Sequence, residues 1–348
     1  MQIKLLFLAS SACLILGAMM QFPDQRGGST SSGIESGQHL AAQAEAAHLA
    51  HNNPVELGSV HWLRDLDEGR ALAKQSGKPL LVLFQEVPGC SNCTRYGNGP
   101  LRHPLLVESI ETFFVPVCIY NNKGGKDGTA LRLFDEPAWN NPVVRIVRPD
   151  NSDLIPRIAN FSSPYQLVKG IGQALAANGQ NSPVYLKLLE TEWRARESGL
   201  ETATFSMYCF WSGEGTFGAI PGVIETEPGF QDGHEVVKVQ FDPSIVAKST
   251  LEALTHPKGI NSCARNEGFR SDRTPKYYLA NTDYRFIPMT SLQACQINSL
   301  IGEGKNPDAC LSPRQLSLLK KIRAQPDKKW KNQIGGKDLA GAWEGIHD

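Results

Sequence analysis

The chain has 348 residues, 41% of them apolar, which is enough to build two domains with separate cores. Lysine plus arginine equals aspartate plus glutamate at 35 each, so the formal net charge is zero. Because no field of one sign is present, we expect no nucleic-acid partner and no electrostatic attraction to an acidic membrane.

The N-terminus carries the pattern of an export signal. Lys4 precedes an apolar run from Leu5 to about Met20, which predicts a signal peptide or an N-terminal membrane anchor over residues 1–20. Residues 21–55 are rich in Gly, Ser, Gln and Ala, and we predict a flexible linker there. We therefore expect the rest of the chain to be periplasmic, either released by cleavage or anchored facing the periplasm.

Residues 56–180 have the pattern of an α/β domain. A helix is predicted over 66–75, and the continuous apolar run Leu80–Phe84 is typical of a central buried strand. Alternating helices and strands follow, and this alternation predicts a parallel or mixed sheet covered on both faces. The predicted elements are a helix at 105–114, strands at 114–120 and 142–147, and a helix at 163–177.

A second α/β pattern occupies residues 200–325, after a predicted connecting helix within 181–199. Strands are predicted at 202–207 and 235–241, and helices at 244–254 and 291–300. Residues 326–348 are rich in lysine and then in glycine, and we predict a loosely held tail.

Cys90 and Cys93 form a C-x-x-C pair shortly after the predicted central strand. A helix N-terminus lowers the pKa of a thiol, so Cys90 is predicted to be the nucleophile and Cys93 the residue that resolves its mixed disulfides. Pro142 is a candidate for a cis proline facing the pair. The alternatives are a structural disulfide or half of a zinc site. No second pair completes a zinc site, so we expect no metal.

Cys209 is a lone cysteine followed by two aromatic residues, Phe210 and Trp211. A sulfoxide is reduced when a thiolate attacks its sulfur while an acid protonates its oxygen, and aromatic side chains can hold the methyl group. Glu235, at the start of a predicted strand, is the favoured acid, whereas Glu214 is more typical of a helix-surface or capping carboxylate. The alternative for Cys209 is a buried, inert cysteine.

Attack on a sulfoxide would convert Cys209 to a sulfenic acid, which a second cysteine can condense with. Cys263, Cys295 and Cys310 are candidates for that role, and structural disulfides are an equally good interpretation of them. The sequence does not indicate which of the three cysteines condenses with the sulfenic acid of Cys209.

Two family resemblances arise from these motifs. Residues 56–178 resemble the thioredoxin-like family, and Val87-Pro88-Gly89-Cys90 resembles a bacterial group marked by V-P-G followed by cysteine or selenocysteine. About residues 200–300 resemble the A-type peptide methionine sulfoxide reductases. The motifs that carry this second resemblance are Thr204–Glu214, Ile220–Val223, Gly233–Pro243 and Tyr284-Arg285.

The second resemblance implies that Phe210, Trp211, Phe230 and Tyr284 bind the substrate. Two positions depart from the family pattern. Phe230 stands where the family usually has a tyrosine, and Tyr208 replaces the glycine before the nucleophile.

The predicted fold class is therefore α/β, with a thioredoxin-like domain followed by an α+β methionine sulfoxide reductase A-like domain. The resemblances imply a thiol-dependent reductase of methionine S-sulfoxide or a related oxidised thioether. Cys209 would attack the sulfur, Glu235 would be the acid, and the dithiol of Cys90 and Cys93 would regenerate Cys209.

The expected partners are oxidised methionine in proteins or a small sulfoxide, together with an external thiol or dithiol as electron donor, and no cofactor. Two alternatives remain. One is a thiol–disulfide oxidoreductase with a catalytically silent second domain. The other is a redox-regulated binding module.

Overall fold

The computed structural model describes residues 53–89, 91–159, 163–336 and 338–346. The predicted leader at 1–20 and all but the last residues of the predicted linker at 21–55 lie outside these ranges. Within them, no helix has the length and apolar character needed to cross a membrane.

The first domain is built on a three-stranded mixed sheet in the order β2-β1-β3. β1 (Leu80–Gln85) is central and buried along its whole length. It pairs in parallel with β2 (Val115–Tyr120) and antiparallel with β3 (Val143–Val147). The prediction of a central apolar strand in a mixed sheet is confirmed.

Helices cover both faces of this sheet. The side chains of β1 alternate between two apolar clusters, with Leu81 and Leu83 in one and Leu80, Val82 and Phe84 in the other, because successive residues of a strand point to opposite faces. The helices are α1 (Leu66–Ser76), α2 (Ser91–Asn98), α3 (Pro104–Phe113), α4 (Gly125–Leu133) and α5 (Pro164–Ala177).

The second domain has a five-stranded antiparallel sheet in the order β7-β4-β6-β5-β8. The two predicted strands are present, and the structure adds β5, whose polar and apolar residues the sequence analysis did not assign to a strand. The strands are β4 (Glu201–Ser206), β5 (Val223–Gln231), β6 (His234–Phe241), β7 (Asn261–Ser262) and β8 (Arg270–Ser271).

The hairpin between β5 and β6 closes through a two-residue turn. Asp232 and Gly233 both have positive φ, at 51° and 82°, which is the backbone that short hairpin turns require and that Asp-Gly favours. The resulting register places Phe230 directly opposite Glu235. Two of the predicted site residues are thus neighbours across the hairpin.

Helix α6 (Val184–Ser198) connects the domains within the predicted range. It is followed by α7 (Phe210–Gly218), α8 (Lys248–Thr255), α9 (Tyr277–Ala280), α10 (Ser291–Gly302), α11 (Pro313–Ala324) and α12 (Leu339–Glu344). The helix predicted at 244–254 begins only at Lys248. The carboxylate of Asp242 accepts hydrogen bonds from the amide and hydroxyl of Ser244, which favours a turn over a helix at that point.

The prediction of a loosely held tail from residue 326 is wrong for its last helix, α12, whereas residues 326–336 form no helix or strand and are mostly exposed. Trp343 on α12 is only 5% exposed, and the Arg314 guanidinium lies 4.4 Å from the centre of its ring. Glu344 forms an ion pair of 2.7 Å with Arg102 of the first domain. The buried Trp343 anchors this segment, and the lysine-rich composition of the tail did not indicate such an anchor.

The two domains pack through α3, α6 and the N-terminus of α11. The ring of His103 packs edge-on against Trp193 of α6, with the centroids 5.0 Å apart. The carboxylate of Glu108 accepts a hydrogen bond of 2.8 Å from the amide of Arg314. Burial lowers the pKa of His103 to about 4, so this interface favours a neutral imidazole.

Acidification should therefore weaken the fold through His103. Between pH 6.5 and 4 the unfolded chain binds a proton at this residue that the folded chain does not, so stability should fall as pH falls through that window. When the pH falls from 7 to 4, the free energy of unfolding of His103→Phe should therefore drop by about 2 kcal/mol less than that of the wild type. Urea unfolding at several pH values measures this. Equal losses in the two proteins would contradict it.

Candidate active sites

The first candidate site lies where β1 ends and α2 begins. Cys90 lies outside the described residues. Cys93 is in the first turn of α2 and is buried, with its Sγ 2.9 Å from Oδ1 of Asn141. The Asn141–Pro142 peptide bond is cis, the conformation expected from the sequence. The loop that carries Pro142 therefore contacts the C-x-x-C helix directly.

Two buried polar residues hold the segment that precedes the dithiol. Oε1 of Glu56 accepts a hydrogen bond of 2.7 Å from the amide of Gly89. The side-chain amide of Gln85, at the end of β1, donates to the carbonyl oxygens of Glu56 and Cys93. Both side chains are almost fully buried, so they hold the segment that ends at Gly89. The sequence analysis missed both residues.

An exposed tryptophan stands beside this site. Trp139 is two residues before Asn141 and is 82% exposed. A turn in which the amide of Asn140 donates to the carbonyl of Pro137 presents it to solvent. Tryptophan is enriched in protein interfaces relative to the rest of the surface.

The second candidate site lies where β4 gives way to α7. Cys209 is the residue immediately before α7, has an extended backbone and is partly exposed. The amide of Met207 donates to the carbonyl oxygen of Glu235, which extends the β4–β6 ladder past Ser206. Oε2 of Glu235 accepts a hydrogen bond of 2.9 Å from the amide of Phe210. The carboxylate therefore reaches across the strand-to-helix turn that carries Cys209.

Aromatic rings surround this turn. Phe210 packs against Trp211 and Phe230, with ring centroids 5.6 and 5.3 Å apart. Trp211 stacks on Tyr277, with centroids 4.0 Å apart and planes 13° apart. Three of the four aromatic residues predicted to bind substrate are therefore brought together, and Tyr277 joins them.

Tyr284, the fourth predicted residue, lies elsewhere. It is buried in the C-terminal apolar cluster, and its hydroxyl donates a 2.6 Å hydrogen bond to Asp308. Tyr278 takes a place nearer Cys209. Burial, followed by the negative charge of Cys209, raises the pKa of Tyr278. The structure does not bring Tyr284 into the aromatic cluster, so its part in substrate binding stays a prediction, and the adjacent tyrosines at 277 and 278 were the signal that the sequence analysis overlooked.

Glu214 was predicted to be a helix-surface or capping carboxylate, and this is wrong. It is fully buried, and its Oε1 lies 3.0 Å from Nζ of Lys276. Its Oε2 accepts a 2.8 Å hydrogen bond from the amide of Lys276, and Thr226 donates to Oε1. Burial acts to lower the pKa of Lys276, but the charges of Glu214 and Cys295 outweigh it and the pKa is raised.

This ion pair fixes the start of α9. Lys276 has φ of +56°, a left-handed conformation that a lysine seldom adopts unless its surroundings hold it. The next two residues, Tyr277 and Tyr278, extend the aromatic cluster. The buried pair therefore ties α7, which begins at Cys209, to the helix that supplies both tyrosines.

Breaking this pair should be costly. Lys276→Met leaves the carboxylate of Glu214 buried without its cation, and we expect a loss of about 3 kcal/mol in the free energy of unfolding. The double variant Glu214→Gln, Lys276→Met removes both charges and should recover most of that loss. Urea unfolding of the wild type, both single variants and the double variant measures the coupling. Single and double variants of equal stability would contradict a coupled pair.

The structure separates the three cysteines considered as resolving residues. Cys295 is fully buried, and burial raises its pKa to about 11. Cys310 is buried in the C-terminal cluster. Cys263 is partly exposed, and its amide donates a hydrogen bond to the carbonyl oxygen of Thr204. Its thiol interacts with the Ser206 side chain on the strand that leads to Cys209. Cys263 is therefore the most exposed of the three, but it lies beside Thr204, five residues before Cys209, so the identity of the resolving residue stays a prediction.

The two candidate sites are far apart. Arg194 of α6 pairs with Asp242 at 3.0 Å, just after the end of β6, whereas Glu235 stands near its beginning. The seven residues from Glu235 to Asp242 span about 23 Å at the rise of an extended strand. Cys209 thus lies at the end of the sheet that faces away from α6, and α6 separates that sheet from the first domain.

Comparisons with known proteins find two similarities. Residues 61–149 match the family model described as thioredoxin-like. The chain is also similar to peptide methionine sulfoxide reductase A2-1 of Oryza sativa subsp. japonica, at 31% identity over 110 residues that cover 26% of this chain and 59% of that protein. Peptide methionine sulfoxide reductase MsrA of Methanosarcina mazei is 40% identical over 70 residues, or 15% of this chain and 33% of that protein.

The similarity to these relatives is partial. A third curated protein, peptide methionine sulfoxide reductase MsrA 1 of Nostoc sp., is 30% identical over 83 residues, which are 19% of this chain and 51% of that protein. The chain therefore spans between about a third and three fifths of the length of these three relatives. It joins a thioredoxin-like domain to a region similar to methionine sulfoxide reductases.

Proposed function

We propose that the chain is a thiol-dependent reductase of methionine S-sulfoxide or a related oxidised thioether. The observation that carries the proposal is the geometry around Cys209. A partly exposed thiol stands at the start of α7, next to a cluster of aromatic side chains, and the Glu235 carboxylate accepts a hydrogen bond from the next amide. Thiol, acid and apolar pocket are the three parts that sulfoxide reduction needs.

In the proposed reaction the Cys209 thiolate bonds to the sulfoxide sulfur while Glu235 gives a proton to the oxygen. The hydroxyl group then moves from the substrate sulfur to the Cys209 sulfur as the bond between the two sulfurs breaks, which leaves a sulfenic acid on Cys209 and releases the thioether. Phe210 and Trp211 hold the methyl group. Phe230 has no hydroxyl, so Tyr278 is proposed to supply the phenol on this side of the site.

Cys209→Ser should abolish sulfoxide reduction and leave the fold intact. A hydroxyl is a far weaker nucleophile than a thiolate, and Cys209 is not part of a buried core. Reduction of free and peptide-bound methionine S-sulfoxide, with dithiothreitol as donor, is the assay. Cys310→Ser, which changes a buried cysteine outside the site, is the matched control and should stay active. Activity retained in Cys209→Ser would remove the proposal.

Glu235→Gln should slow the reaction by about 10²–10⁴, the usual contribution of general acid catalysis. Glutamine keeps an oxygen that can accept the hydrogen bond from the Phe210 amide, so the turn should keep its shape. Glutamine has no carboxyl proton to give to the substrate. The pH profile of the residual rate should lose the limb that belongs to the acid. An unchanged rate would assign protonation to another group, with Tyr278 the first to test.

A thiol–disulfide oxidoreductase with a silent second domain is the second candidate. It is favoured by the first site alone, where the Cys93 thiol group meets Asn141 next to a cis proline and an exposed tryptophan. Turnover of a disulfide substrate without any sulfoxide reduction would support it. Binding of a thioether without turnover would instead support a redox-regulated binding module. Export through residues 1–20, with release or anchoring in the periplasm, stays a prediction.

A further inference from the structure

The fold bears on how the dithiol regenerates Cys209, because it keeps the two sites of one chain apart. A disulfide between two cysteines needs their Cα atoms within about 7 Å. Cys93 contacts Asn141 in the first domain, whereas Cys209 lies at the far end of the second sheet, about 20 Å beyond α6 by the rise of its strands. Within the described arrangement, the two sites of one chain do not meet.

The interface between the domains does not offer an easy hinge. The α6 residues Tyr185, Leu189 and Ala195 are buried, and Glu192 accepts a 2.9 Å hydrogen bond from the amide of Leu292 at the start of α10. Swinging the domains apart would expose these apolar side chains to water, at about 25 cal/mol for each Å². Each domain is thus held in place relative to the other.

Each site nevertheless carries an exposed aromatic side chain. Tyr208, next to Cys209, is 98% exposed, and Trp139, next to the Asn141 contact of Cys93, is 82% exposed. These are the two most exposed large apolar side chains of the described residues; the others reach about half exposure at most. Tyrosine and tryptophan are the residues most enriched at the energetic centres of protein interfaces.

We propose that the dithiol of one copy of the chain reduces Cys209 of a second copy, with Trp139 and Tyr208 as contacts of that encounter. The partner is a second copy because every copy carries both halves of the reaction, and its own fold keeps Cys93 and Cys209 apart. This inference rests on the proposed function, since it needs the sulfenic acid that sulfoxide reduction leaves on Cys209.

The chemistry balances between two copies. The Cys90 thiolate of one copy attacks the Cys209 sulfenic sulfur of the other, forms a mixed disulfide and releases water after protonation. Cys93 then attacks Cys90, which frees the Cys209 thiolate and leaves a Cys90–Cys93 disulfide. A dithiol reductant in solution returns that disulfide to its reduced form.

The test counts methionine formed by prereduced protein after the reductant has been removed. Each wild-type chain holds two pairs of reducing electrons, one at Cys209 and one at the dithiol. Each chain should therefore form two methionines from excess methionine S-sulfoxide. The first should form at a rate per chain that is independent of protein concentration. The second should form at a rate per chain that rises in proportion to protein concentration.

Complementary variants isolate the transfer. The acceptor Cys90→Ser, Cys93→Ser should form one methionine per chain and stop. Adding the prereduced donor Cys209→Ser, inactive alone, should restart it and yield one further methionine per donor chain. Trp139→Ala in the donor should slow that transfer about tenfold and leave the first turnover of otherwise wild-type protein unchanged. Leu254→Ala in the acceptor, an exposed change on α8, is the matched surface control and should have no effect.

The outcomes separate the two proposals. A second turnover whose rate does not depend on protein concentration would show transfer within one chain and overturn the inference. A first turnover with no second, or a donor that fails to restart the acceptor, would overturn it equally and leave sulfoxide reduction standing. The absence of any first turnover would remove the proposed function, and the inference with it.

Discussion

Helix α6 is buried on two sides, and that constraint determines how the rest of the molecule is arranged. One face packs against α3 and α5 of the first domain, and the other packs against α10 of the second. Its charged residues are also committed, since Arg194 pairs with Asp242 and Glu192 binds the start of α10. A helix shared by two cores holds the domains in one relative orientation, and their reactive ends are thereby kept apart.

At the second site, backbone pairing between β4 and β6 positions the acid. The β4–β6 pairing continues to Met207 and Glu235, so the carboxylate starts from a rigid strand and ends on the amide of Phe210. The acid therefore belongs to a paired strand, whereas the thiol stands three residues past the end of β4, at the start of α7. The hydrogen bond from the Phe210 amide to Glu235 links the acid to the turn that carries the thiol, without any contact from the substrate.

The aromatic pocket depends on a buried charge pair rather than on apolar packing alone. Glu214 lies on the same helix that Cys209 introduces, and Lys276 immediately precedes Tyr277. Isolated buried charges are costly, so each of these residues requires the other. The position of Tyr277 over Trp211 thus follows from an electrostatic pairing between segments about sixty residues apart in the chain.

The sequence by itself determined what local patterns control. The apolar run 80–84 predicted the central strand, the motifs around 209 and 235 predicted a cysteine and a carboxylate that the fold brings to the same strand-to-helix turn, and Asn141-Pro142 predicted the cis bond. The tertiary structure alone decided which distant residues meet. It put Tyr277 and Tyr278 in the pocket instead of Tyr284, buried Glu214, packed Trp343, and separated Cys93 from Cys209. Local periodicity reports which face of an element is apolar, but not which other element covers that face, and long-range packing determines the latter.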